Sequence, residues 1–134
     1  CGKDKVDDRY NNTPGYVQFE YIKKELSDLL DAADVVISRA GANAICELLA
    51  LRKPNILIPL SAASSRGDQI LNAESFERQG YSYVLKEENL TGETLLNAID
   101  TVYQNRSKYI EAMSQSKLNN SIETIVNIIK EVAL

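Results

Sequence analysis

Histidine is absent from all 134 residues, and no other feature of the composition restricts the chemistry as much. Without an imidazole there is no histidine base, no histidine-assisted nucleophile and no histidine-ligated metal. A general base would have to be a carboxylate, lysine or tyrosine, or come from another polypeptide. Cysteine is nearly absent too. Cys1 and Cys46, with no Cys-x-x-Cys pair, form neither a disulfide framework nor a zinc site. Cys46 falls on the apolar face of an expected helix, so a buried, reduced thiol is expected. No apolar run approaches the roughly 18 residues of a membrane span. Excess positive charge is also missing: 15 Lys and Arg against 19 Asp and Glu leave a net charge of −4. That balance argues against a nucleic-acid partner, which needs a clustered basic face, and against this segment alone holding an anionic membrane. The chain also lacks the Gly-x-Gly-x-x-Gly of dinucleotide sites, the P-loop lysine and any Asp-x-Asp metal motif.

What is present is enough for one domain: 134 residues, 44% of them apolar, can bury a core. The chain opens on Cys1-Gly2-Lys3-Asp4, like the frayed end of a strand, so a fragment of a larger protein is expected. Polar residues follow as far as the turn signal Thr13-Pro14-Gly15. Val17 and Phe19 read as a short strand or connector. Ile22, Leu26, Leu29, Leu30 and Ala33 keep the 3.6-residue period and predict a helix over 22–33. Alternation then predicts a strand at 35–38, a helix at 43–51 stopped by Arg52-Lys53-Pro54, and a buried strand at 55–59. A small-residue loop (60–67), a helix at 68–79 closed by Gly80, and a strand at 81–85 come next. Thr91 is placed to cap a helix through Tyr103, and further helices are expected at 106–115 and 121–132. This order is that of an α/β fold: a Rossmann-like parallel sheet with helices on both faces. Ligands in such sheets bind outside the carboxyl ends of the strands, which places the loops 39–42 and 60–67 side by side.

The first of these loops carries the strongest signal. Ser38-Arg39-Ala40-Gly41-Ala42-Asn43 joins a strand to a helix through small residues, and Glu47 follows one turn into that helix. Backbone N–H groups at such a helix start favour a diphosphate. Glu47, about 7–8 Å along the axis, is at the distance of a ribose diol. A solvated helix glutamate, and a small turn needed only for packing, are the plainer alternatives. The second cluster is Asp68-Gln69 with Asn72, whose amides and carboxylate match sugar hydroxyls and of which Asp68 and Asn72 share a helix face. Its alternative is an Asp68 N-cap with ordinary polar surface. Arg66 is placed to pair with a diphosphate or with Asp68 or Glu74.

Together these clusters resemble the C-terminal, donor-binding domain of the MurG family, peptidoglycan N-acetylglucosaminyltransferases of the GT-B fold. The resemblance runs through Ala32-Ala33-Asp34, Ser38–Ala42, Glu47, Lys53-Pro54, Ile58-Pro59, Asp68–Ala73 and Gln79-Gly80, and is carried by residues 17–85. It implies that residues 1–134 form a single UDP-N-acetylglucosamine-binding domain, without the acceptor domain and the first strand and helix of its own fold. In that reading Arg39, Ala40, Gly41, Ala42 and Asn43 cradle the diphosphate. Glu47 holds the ribose, the segment around Phe19 to Ile22, with Tyr21, borders the uracil, and Asp68, Gln69 and Asn72 grip the sugar. Many members carry two glutamines where this chain has Asp68-Gln69. The implied reaction is inverting transfer to lipid I, forming lipid II, with no cofactor and no metal. The acceptor, the membrane contact at the cytoplasmic face and the catalytic base all belong to the other domain. A donor-binding subunit of a naturally split transferase, and a non-catalytic nucleotide-binding module, are the competing readings.

Overall fold

The computed structural model describes residues 4–10, 12–20, 22 and 25–116. The chain falls into two compact units, Cys1–Ala32 and Ala33–Leu134.

In the first unit, Thr13-Pro14-Gly15 makes the expected turn: the Tyr16 N–H donates to the Thr13 carbonyl at 3.1 Å, with Gly15 at φ 75°. A single 3₁₀ turn spans Asp8–Tyr10. The Arg9 guanidinium clasps the Asp7 carboxylate and holds its pKa below the usual value. Val17 and Phe19 lie in a connector, not a strand, because no described segment offers a ladder to pair with. The expected helix is shorter than its apolar period, with α1 spanning Leu26–Ala32. Residues 23 and 24 lie outside the description, and Leu26 and Leu29 are exposed.

The second unit holds the sheet. Its elements are β1 (Val36–Ser38), α2 (Ala42–Leu51), β2 (Asn55–Leu57), α3 (Ala62–Ser65), α4 (Asp68–Arg78), β3 (Tyr83–Val84), α5 (Gly92–Gln104) and α6 (Arg106–Ser114). The strands run in the order β1-β2-β3, all parallel, in the register Ile37 to Ile56 and Ile56 to Tyr83. Side chains alternate between faces along a strand. Ile56 and Ile58 therefore join Leu85, Ala98 and Val102 in one core beneath α5, with Val35, Tyr83, Leu95, Ile99 and Tyr109 packed against it. On the opposite face, α4 packs against β3 and α2.

One polar group sits deep in β2. Asn55 is 1% exposed and fully satisfied: its amide donates to the carbonyls of Lys53 (2.8 Å) and Tyr81 (3.2 Å) and accepts from the Ser82 hydroxyl. The helix ends follow local rules. Gly80, at φ 80°, stands one residue past the α4 C-cap, Gln79. The Tyr81 N–H returns to the Phe76 carbonyl and the Gly80 N–H to that of Glu77, while the Phe76 and Tyr81 rings meet edge-on at 5.4 Å. Arg52 and Lys53 close α2 by the same pair of bonds, with Arg52 left-handed at φ 55°. Thr91 caps α5 in a capping box with Thr94.

The structure departs from expectation in the loop 60–67, where Ala62–Ser65 complete a helical turn. Two alanines supply the helix propensity. The expected helix over 121–132 lies outside the described residues. Among those residues, no helix is long and apolar enough to cross a membrane.

Candidate functional site

Of the helices that begin at the carboxyl edge of the sheet, the two longer ones nearest β1 and β2, α2 and α4, have starts that no side chain closes. The N-cap of α2 is Gly41, and that of α4 is Gly67 at φ 84°. Within α2 the first helical bond is donated by Ile45 to the Gly41 carbonyl (3.0 Å), and within α4 by Leu71 to that of Gly67 (3.1 Å). The N–H groups of the preceding turn residues therefore have no partner inside their helices. Each start carries a partial positive charge of roughly half a unit.

The two starts are neighbours because α4 is stitched to the turn that opens α2. The Asn72 amide donates to the Ala40 carbonyl at 3.0 Å, and Ala40 is fully buried. Gln69 accepts the Leu60 N–H at 3.0 Å, which turns its amide nitrogen toward Gly41. A Cβ built on Gly41 would stand 3.8 Å from that nitrogen. The structure thus brings together the two clusters that the sequence separates by about twenty residues. It also engages two of the residues assigned to the sugar, since Asn72 and Gln69 both bond the backbone of the site.

The remaining candidates are placed as follows. Ala42, Asn43 and Glu47 are exposed along the start of α2, and the Glu47 carboxylate has no partner among the described residues. Asp68 is exposed in the first turn of α4 and does not cap it. Arg66 is exposed and ion-paired to neither Asp68 nor Glu74. Arg39 is committed: its guanidinium donates to the Ile58 carbonyl at 3.1 Å and pairs with Glu87. Ile22 is exposed within the first unit, and Tyr21 lies outside the described residues. Cys46 is a correction. It is a free, exposed cysteine, because the buried stripe of α2 is Ile45, Leu48 and Leu49, and position 46 points away from it. Among the described residues, no cluster of carboxylates and cysteines could hold a metal ion.

Sequence reasoning passed over the third strand's loop. A cleft of about 460 Å³ opens between Pro59, Ser61, Ala62 and Ile70 on one side and Lys86, Glu87 and Glu88 on the other. The signal was available. Arg39 calls for a counter-charge at the carboxyl edge, and Glu87 and Glu88 lie in the loop that follows β3.

Comparisons with known proteins show the family of the chain. A family model described as the glycosyltransferase family 28 C-terminal domain matches residues 2–131. A relative from Lachnoclostridium phytofermentans, named UDP-N-acetylglucosamine--N-acetylmuramyl-(pentapeptide) pyrophosphoryl-undecaprenol N-acetylglucosamine transferase, is 67% identical over 134 residues, all of this chain and 38% of that protein. Relatives of the same name from Lachnospira eligens and Clostridium botulinum (strain Loch Maree) are 60% and 59% identical over 98% of this chain and 37% of theirs. The chain therefore spans under two fifths of the curated relatives it matches. Among solved structures, spinosyn forosaminyltransferase SpnP superposes on 90% of this chain and 33% of its own, with a TM-score of 0.63 at 15% identity, which is a likeness of fold. By the family model and these identities, the chain belongs to the glycosyltransferase family 28 C-terminal domain family.

Proposed function

We propose that this chain is the donor-binding domain of an inverting N-acetylglucosaminyltransferase that uses UDP-N-acetylglucosamine to convert lipid I to lipid II. One observation carries the reading: two uncapped helix starts meet at the carboxyl edge of the sheet, with the Glu47 carboxylate one turn along the first. The diphosphate takes the start of α2, where backbone donors and the dipole favour a negative group. Glu47 accepts from the ribose hydroxyls, and the start of α4, with Asp68 and Gln69, faces the sugar. The names of the relatives support the donor, and the family match supports the domain's place in a transferase. No histidine is present to deprotonate the acceptor hydroxyl. We assign that proton, the acceptor lipid and the contact with the cytoplasmic membrane face to the rest of the enzyme, and no cofactor to the reaction.

Calorimetric titration of the chain with UDP-N-acetylglucosamine, UDP and UDP-glucose tests the proposal. The N-acetyl sugar nucleotide is expected to bind most tightly. Losing charged hydrogen bonds to the ribose costs about 1.5–3 kcal/mol, so Glu47→Ala is expected to weaken it more than tenfold. Equal affinity for the three ligands, together with unchanged binding by Glu47→Ala, would leave only a nucleotide-binding or interaction module.

A further inference from the structure

We infer that Glu87 is a positioning residue for the turn Arg39–Asn43, acting through Arg39 from the loop after β3. The inference rests on the donor site proposed above and assigns Arg39 a different task within it. Arg39 leaves β1, donates to the Ile58 carbonyl at the end of β2, and pairs with Glu87 beyond β3. One guanidinium thus ties the carboxyl ends of all three strands together. Arginine suits this because its planar fork presents several donors in fixed directions, which a lysine ammonium does not. The neighbouring residue is tied just as firmly, with Ala40 buried and its carbonyl held by Asn72. Between them, Arg39 and Ala40 fix the direction in which Gly41 enters α2.

Both partners of the ion pair are more than a third exposed, at 49% and 39%, so the pair adds little to stability and its removal leaves the fold standing. What it supplies is orientation. A helix start binds an anion only if its N–H groups already point at the ligand, and a turn held on two sides requires no reordering when the ligand arrives. Because the guanidinium is turned toward Ile58 and Glu87, the phosphate meets backbone donors and not this side chain.

A double-mutant cycle separates the two roles of Arg39. UDP-N-acetylglucosamine affinity is measured for the unaltered chain, Glu87→Gln, Arg39→Gln and the double variant. Each single variant is expected to bind about threefold to tenfold more weakly, and the double no more weakly than Arg39→Gln alone. Losses that multiply would show that Arg39 touches the donor independently and overturn the inference, as would normal binding by Glu87→Gln. A second arm needs no ligand. Hydrogen exchange at the Ile45 amide, which donates to the Gly41 carbonyl, is expected to quicken several-fold in Glu87→Gln. Exchange at the Leu95 amide, in the equivalent bond of α5 to Thr91, is expected to stay the same. Unchanged exchange at Ile45 would overturn the inference. Failure of the unaltered chain to bind the sugar nucleotide would overturn the donor reading alone, leaving the exchange comparison to decide the anchor.

Discussion

Gly41 is where folding and binding can be pulled apart. Its φ of −67° and ψ of 147° suit any residue, and a Cβ there would meet Gln69 at an ordinary 3.8 Å. Gly41→Ala is therefore expected to cost about 1 kcal/mol or less, the loss of a favoured N-cap residue and no more, in urea denaturation. If a diphosphate approaches this turn, the same variant binds UDP several-fold more weakly, and unchanged affinity would place the phosphate elsewhere. Tyr109 gives a pH test. Burial first, then the charges of Tyr83 and Glu77, raise its pKa above the ordinary 10.0. The unfolded chain then loses this proton before the folded one does. The stabilisation is complete below pH 10 and is lost as pH climbs from there through the folded pKa. Tyr109→Phe is expected to flatten the alkaline part of that loss, read as the denaturation midpoint across the tyrosine range. The residue types of the candidate site were legible as small residues before an apolar period and as clustered amides, each of which also has a plainer structural use. Their partners were not. That Asn72 and Gln69 spend hydrogen bonds on Ala40 and Leu60, and that Arg39 faces Glu87, follows from the packing of α4 and the loop after β3 at the carboxyl edge. Cys46 shows how finely this is set, since one position along α2 separates a buried Ile45 from an exposed thiol.

The helices and strands were read more securely than their ends. Apolar period and caps located α2, α4 and α5 to within one or two residues, because Pro54, Gly80 and Thr91 act locally. The strands came out shorter than the apolar runs that announced them, since a ladder lasts only as long as its neighbour and β3 pairs through two residues. The turn α3 escaped notice because four residues carry no period. Gly80 offers the clearest test at this scale. A left-handed backbone costs an L-residue about 1–2 kcal/mol. Ala112, 3.6 Å from a Cβ built there, presents only an ordinary contact. Gly80→Ala is therefore expected to lower stability by about that amount, with the urea midpoint shifted and the slope unchanged.

At the scale of the whole molecule, the family was visible in the sequence through its motifs, and the α/β class because this order of elements leaves few arrangements other than a parallel sheet. The division into two units was not, since no break in the sequence marks it between α1 and β1. The sheet itself is small, and short parallel ladders are weakly defined by backbone bonds alone. Here the buried Asn55 acquires a further significance. Were β2 to slide by one residue against β3, its amide would lose Tyr81 and Ser82 and keep only the Lys53 carbonyl of its own strand. Leaving a buried polar group unpaired costs about 1–3 kcal/mol, so Asn55→Leu is expected to lose at least that much, measured by chemical denaturation, from the orphaned Ser82 hydroxyl and carbonyls. The same variant would gain hydrophobicity while losing its penalty for misalignment. It is expected to trade a unique chain alignment for a family of slipped, association-prone ones, against which the asparagine's cross-strand bonds select.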